Sequence, residues 1–245
     1  AIANRRLGVG CDQVLILKST KATDAYVSME IRNVDGTEAE ACGNGSRCVA
    51  ALMMEESGKN VLGIETLAGV LLVERDESGH VTVDMGPARY NWQDIPLARK
   101  TDTLHVDFEG APLTDGVGVN MGNPHIVFFL NDVDALELDS IGPQIEHHPL
   151  LPERANIEVV SLLGVDRLRM RVWERSCGIT QACGSGACAA VVAAHRRKIT
   201  GRSAEVVLDG GSLFVEWRES DGHVLLAGPT MVVFRGELDP AAITI

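Results

Sequence analysis

A two-domain α+β pseudo-repeat is what this sequence predicts, and three observations predict it. A short pattern occurs twice, Cys42-Gly43-Asn44-Gly45 and Cys183-Gly184-Ser185-Gly186, each time just ahead of a small-residue, helix-permissive run. Landmarks in the two halves share one offset: Cys42 and Cys183, like Met29 and Met170, lie 141 residues apart, while Gly69 and Gly211, and Gly86-Pro87 and Gly228-Pro229, lie 142 apart. Finally, the text itself recurs, with Gly69-Val70-Leu71-Leu72-Val73-Glu74 answered by Gly211-Ser212-Leu213-Phe214-Val215-Glu216. Two long copies make a duplicated domain rather than a solenoid. The expected domains are 1–86 together with a C-terminal strand at 230–245, and 87–229.

The elements follow in chain order. Residues 8 to 17 read as a glycine turn into a buried strand, and lack the third glycine and following helix of a dinucleotide loop. Gln13, at the strand entrance, is either a turn residue or a ligand contact. Val27 to Arg32 alternates as a strand and ends in an Asx-type turn, Asn33-Val34-Asp35-Gly36, where Asn33 either caps the turn or faces a site. The first helix runs from the Cys42 loop to a C-cap at Gly58. A strand from Gly63 to Glu74 and one from Val81 to Met85 form a hairpin through Glu77-Ser78-Gly79. In the second half, strands are expected at Val117 to Asn120, Ile126 to Leu130, Ile157 to Leu162 and Arg167 to Trp173, with a helix near Leu138 to Glu146. Adding 141 to Asn33 lands on Glu174, so Glu174-Arg175 hold the corresponding strand end; they form a surface ion pair or bind a zwitterion. His125 opens a buried strand after Asn123-Pro124, while His147-His148 read as solvated surface. Subtracting 141 from Asn123 lands before residue 1, so the sequence is expected to lack an N-terminal segment.

Composition bounds the function. The chain has 245 residues, 45% of them apolar, enough for two moderate cores. A net charge of −12 disfavours nucleic-acid and membrane-surface partners, which are polyanions. No apolar run approaches a membrane span and no signal-like stretch opens the sequence, so a cytoplasmic protein is expected. Six cysteines without disulfide spacing fit a reducing compartment. Their spacing also disfavours zinc. Cys48 and Cys188 read as small core residues within their helices, and Cys11 and Cys177 as packing residues.

The paired loops carry the chemistry. A cysteine at a helix mouth lies where unpaired backbone N–H groups approach an anion and where the helix dipole lowers a thiol pKa. Two such mouths suggest one active site with two bases. Inverting an amino-acid α-carbon without a cofactor means removing a weakly acidic proton from one face and returning another to the opposite face, which one base cannot do. A thiolate and a thiol meet that need, with N–H groups at Gly43-Asn44 and Gly184-Ser185 holding the carboxylate on which charge builds.

These motifs together, with Trp173-Glu174-Arg175 leading to Ala182-Cys183-Gly184-Ser185-Gly186-Ala187-Cys188-Ala189, closely resemble diaminopimelate epimerase across essentially the whole chain. The resemblance implies two domains, each a barrel-like mixed sheet around a central helix, and a homodimer. It also implies a reaction independent of pyridoxal phosphate and metals that interconverts L,L- and meso-diaminopimelate in lysine and peptidoglycan-precursor biosynthesis. By the same resemblance Cys42 and Cys183 are the paired acid and base, with His125 and Glu174 assisting ionisation. Gln13 sits near the reacting centre, and Asn33, Asn123, Asn156, Glu174 and Arg175 contact the substrate, alongside Gly43, Asn44, Gly184 and Ser185. Ser176-Cys177 and Cys11 depart from the family pattern, and the family's N-terminal Gly-Asn-Asp-Phe segment is missing. Other readings are a proline-racemase-like enzyme, which would lack the distal contacts, a phenazine-type isomerase of the same fold, which would lack one or both cysteines, and a redox or zinc module.

Overall fold

The computed structural model describes residues 1–39 and 42–239. Its chain divides into two compact units, Ala1–Val83 with Pro229–Ile245, and Asp84–Gly228.

The first unit opens with β1 (Gln13–Lys18), β2 (Val27–Asn33) and the short β3 (Glu38–Ala39). Helix α1 (Gly43–Ser57) follows, then β4 (Val61–Thr66), β5 (Gly69–Arg75) and β6 (Val81–Pro87), which leads into the second unit. The strand order is β1-β2-β4-β5-β6, with β3 on β2. Every pairing is antiparallel except β2 with β4. A parallel pair needs a crossover, and α1 supplies it. The helix stops where expected, at Gly58 with φ +70° and its N–H on the Met54 carbonyl.

The second unit has β7 (Val117–Asn120), β8 (Pro124–Phe129), α2 (Leu138–Glu146), β9 (Asn156–Gly164), β10 (Arg167–Glu174) and β11 (Gly178–Thr180). It continues with α3 (Gly184–Arg196), β12 (Ser203–Leu208), β13 (Gly211–Trp217) and β14 (His223–Gly228). The sheet order is β14-β13-β12-β10-β9-β8-β7, with β11 on β10. Helix α3 touches each strand of that path, which makes it the central helix of the unit. Its residues Ala187 to Ala194 are all fully buried. A helix apolar on every side has no solvent face to offer, and its many alanines let the surrounding strands approach.

The same local wiring recurs in both units. In the first, Val27 pairs with Ile64 in parallel and Ile31 with Ala39 antiparallel. In the second, Leu168 pairs with Val206 and Val172 with Thr180, each at the sequence offset. Gly69 and Gly211 both open a strand with nearly equal φ, +122° and +129°, values that a side chain disfavours.

Six expectations change. The strand at 8–17 is shorter and only half-buried, because β1 ends the strand order of its unit. The expected single strand from Gly63 to Glu74 is a hairpin, turned at Leu67-Ala68 and tied by Thr66 Oγ donating to the Gly69 carbonyl at 2.9 Å. Cys48 is exposed whereas Cys188 is buried. Cys188 follows its N-cap cysteine by five residues and Cys48 by six, and one residue rotates a helix position by about 100°. Cys177 is likewise exposed rather than packed, and Cys11 is half-buried. No strand occurs at 230–239, where Met231, Val233 and Phe234 are exposed; residues 240–245 of that expected strand lie outside the described residues. His148, expected in solvated surface, is half-buried with its ring edge on Phe108, 5.3 Å between centroids.

A core unforeseen from sequence lies on the far side of β8 and β9. Ile95, Leu97, Val106 and Phe108, from the irregular stretch before β7, pack there with Leu138 and Ile145 of α2. Strands β8 and β9 are therefore covered on both faces, as continuous apolar runs require. Among the described residues no helix is long and apolar enough to cross a membrane.

Candidate active site

The period of two along a strand decides which residues face the central helix of the second unit. On β8, Val127 belongs to the α3 core and so puts His125 on that face; on β9, Val160 does the same for Glu158 and Asn156. On β10, Leu168, Met170 and Val172 face α3, and the same parity ends at Glu174. Trp173 falls on the opposite face, against the second core.

Cys183 is the N-cap of α3, with φ −127° and ψ 113°. Its sulfur accepts from the Gly186 N–H at 3.4 Å and lies 3.5 Å from Ser185 Oγ. The N–H groups of Gly184 and Ser185 belong to the first turn, where a helix has no carbonyl of its own to offer. The helix mouth was expected to acidify this thiol. Instead the Cys183 thiol is pushed well up, first by burial and then by the negative charges of Glu174 and Glu158; contacts from Ser185 and Gly186 pull the other way and lose.

His125 is fully buried and both ring nitrogens are engaged, Nδ1 with Glu158 Oε1 at 2.7 Å and Nε2 with Asn123 Oδ1 at 2.8 Å. Both ring nitrogens are thus committed to protein side chains. Glu174 accepts a hydrogen bond from Thr180 Oγ. Asn156 joins two site segments, accepting from the Arg175 N–H at 2.8 Å and donating to the Pro124 carbonyl at 3.2 Å. Arg175 is exposed, with one guanidinium nitrogen donating to the Glu153 carbonyl at 3.3 Å.

The turn after β10 has an anchor that the sequence did not advertise. Glu146, at the end of α2 and 1% exposed, accepts from Trp173 Nε1 at 2.7 Å and from the Ser176 N–H at 3.0 Å. It holds Ser176 at φ +64°, a left-handed conformation uncommon for a residue with a side chain.

In the first unit, Cys42 is the N-cap of α1, with φ −148° and ψ 97°, and its sulfur accepts from the Gly45 N–H at 3.2 Å. Arg47, 5% exposed, donates to Asn44 Oδ1 at 2.9 Å and ties the loop to its own helix. Gln13 and Asn33 face each other across β1 and β2, and Gln13 Nε2 donates to Asn33 Oδ1 at 3.0 Å. Asn33 Nδ2 in turn donates to Thr37 Oγ at 3.1 Å, so it both caps the turn and holds Gln13.

The sequence therefore located both cysteine loops and the strand-end residues, but not Glu158 or Glu146. For Glu158 a signal existed: a lone carboxylate inside Ile157-Glu158-Val159-Val160, a strand apolar enough to be covered on both faces. For Glu146 nothing local distinguishes it from a solvated helix end. Among the described residues no cluster of three or more histidines, cysteines and carboxylates is arranged to hold a metal ion.

Known proteins place this arrangement in context. The diaminopimelate epimerase family model matches residues 1–91 and 117–233. The stretch it skips overlaps the irregular segment that builds the second core. A diaminopimelate epimerase from Rhodospirillum centenum is 52% identical over 238 residues, covering 97% of this chain and 81% of the relative. One from Acidiphilium cryptum is 49% identical over 240 residues, covering 98% and 86%. Among solved structures, a phenazine biosynthesis protein of the PhzF family from Bacillus anthracis aligns with TM-score 0.62 at 16% identity, covering 90% of this chain and 82% of its own. A hydroxyproline epimerase from Agrobacterium vitis aligns with TM-score 0.61 at 15% identity, covering 89% and 72%. At such low identity those two speak to the mixed α+β fold alone. Relatives of about half identity over nearly the whole chain carry more, and by them this chain belongs to the diaminopimelate epimerase family.

Proposed function

We propose that this protein interconverts L,L- and meso-diaminopimelate by a cofactor-independent two-base mechanism, with Cys42 and Cys183 as the bases. The observation that carries it is the pair of cysteine N-caps, each sulfur held by the third N–H of its helix. In one direction a thiolate takes the α-proton from one face of the carbon, and the opposite thiol delivers its own proton to the other face. The electron pair left by the first proton spreads onto the α-carboxylate, where first-turn N–H groups stabilise it. At the end the first sulfur is a thiol and the second a thiolate, so their roles exchange for the return reaction.

The raised Cys183 thiol suits it to the proton-donor role in the substrate-free protein. Gln13, Asn33, Asn123, Asn156 and Arg175 serve as substrate contacts or hold those contacts in place. Arg175→Ala is expected to weaken diaminopimelate use by about 1.5 to 3 kcal/mol, through loss of a charged carboxylate partner. Unchanged KM and kcat would remove Arg175 from the distal site.

The direct test is exchange of the α-proton in heavy water, comparing L,L- and meso-diaminopimelate with proline and lysine. Exchange of both diaminopimelate isomers without added cofactor is expected, and none of proline. Exchange of proline but not diaminopimelate would overturn the assignment in favour of a proline-racemase-like activity. A homodimer in the cytoplasm completes the proposal, and light scattering on the purified protein checks the stoichiometry.

A further inference from the structure

The two cysteine loops are not equivalent. Gly45 and Gly186 occupy matching places, 141 residues apart, as the third residue of α1 and of α3. A Cβ on Gly45 would meet Leu15 Cδ1 at 2.8 Å, whereas a Cβ on Gly186 would meet Glu158 Oε1 at 2.7 Å. Strand β1 thus presses a leucine under the first thiol loop, and its counterpart β9 presses a carboxylate under the second. Glu158 is fully buried in a strand otherwise apolar at its centre. Its Oε1 is 2.7 Å from His125 Nδ1, and its Oε2 has no hydrogen-bond partner among the described residues. Burying a carboxylate with one oxygen unsatisfied costs stability, and an aliphatic residue fits the matching place in the first unit.

We propose that Glu158 is a positioning residue for the second thiol loop: it holds His125 through Nδ1 and sets a carboxylate beside Cys183, where the first unit sets Leu15 beneath its loop. This rests on the reading of Cys183 and His125 as parts of an epimerase site. Glu158 Oε1 and Cys183 Sγ both reach the point where a Gly186 Cβ would stand, to 2.7 and 3.3 Å, so they lie within about 6 Å of one another. At that range an unscreened charge opposes thiolate formation. The other groups acting on Cys183 are the Glu174 carboxylate from β10, and Ser185 and the Gly186 N–H from its own helix. Glu158 Oε1 engages Nδ1 of His125 and Asn123 Oδ1 engages Nε2, so the ring is held from both sides.

The test uses Glu158→Gln, which keeps the shape and an acceptor for Nδ1 while removing the charge. Alkylation of Cys183 by iodoacetamide is followed against pH by peptide mass spectrometry, each profile normalised to its own alkaline plateau so that access cancels. The midpoint is expected to fall by about one pH unit, with the Cys48 and Cys177 profiles unmoved and the circular dichroism unchanged. Glu158→Leu, which copies the first unit's arrangement, is expected to lower the midpoint as well and serves if the glutamine variant folds poorly. A Cys183 midpoint that stays in place in the folded variant overturns the proposal. Because alkylation needs no turnover, a moved midpoint in a protein that exchanges no diaminopimelate would defeat the epimerase reading and still support the role of Glu158.

Discussion

At the scale of single residues, the four helix cysteines divide by position. Cys42 and Cys183 cap their helices, Cys188 is buried in α3, and Cys48 points outward from α1. Cys42→Ala and Cys183→Ala are each expected to abolish epimerisation, since in the proposed mechanism each thiol serves one face of the carbon. Cys48→Ala is expected to change stability by less than about 0.5 kcal/mol, as exposed substitutions do. Cys188→Ser should cost about 1 to 3 kcal/mol by burying a hydroxyl among alanines and valines. Chemical denaturation with the exchange assay separates these; full turnover by either capping variant would refute the two-base mechanism.

The raised Cys183 thiol also predicts a pH dependence of stability. A thiol that ionises less readily folded than unfolded means that the folded chain holds the extra proton. Its contribution is therefore fully present below the ordinary thiol range and is lost as pH rises through the raised folded value. The urea midpoint of the protein is expected to decline on the alkaline side, and Cys183→Ala should flatten that decline. An identical alkaline slope in the variant would mean that other groups cause it.

At the scale of elements, the first turns of α1 and α3 differ in what lies beneath them. A new Cβ on Gly45 meets the two methyls of Leu15, the end of a half-buried flexible side chain, whereas Glu158 under Gly186 is fully buried and held on His125. Gly186→Ala is therefore expected to destabilise by about 1 to 3 kcal/mol, and Gly45→Ala by less than about 1. Equal effects in thermal denaturation would show that the carboxylate has room to move. Farther along, the turn after β10 depends on Glu146 from α2 and Asn156 from β9, so the proposed substrate contact at Arg175 is only as well placed as those two side chains. That dependence joins residues 19 to 30 positions apart in sequence and could not be read from the turn itself.

At the scale of the whole chain, the duplication predicts paired sensitivities. Gly69 and Gly211 share a φ near +125° at the start of matching strands. Alanine at either place has open space around its Cβ, so the cost is purely conformational, about 1 to 2 kcal/mol each. Comparable losses at both sites are expected in denaturant titrations; a tolerated alanine at either would show that the backbone there can rotate out of this region.

What the amino-acid sequence determined alone was whatever depends on short range or on a shared offset. The cysteine-glycine loops, the C-cap at Gly58, the strand-end places of Asn33 and Glu174 and the bounds of α2 are set by local conformational preference or by the repeat. Only the tertiary structure decided what depends on which strand lies beside which. Covering by neighbours, not local pattern, left β1 half-exposed and gave β8 and β9 a second buried face. The same holds for electrostatics: a helix mouth favours a thiolate within one turn, but packing puts Glu158 and Glu174 against Cys183 and buries the sulfur. Desolvation and two nearby charges then outweigh the hydrogen bonds from Ser185 and the Gly186 N–H.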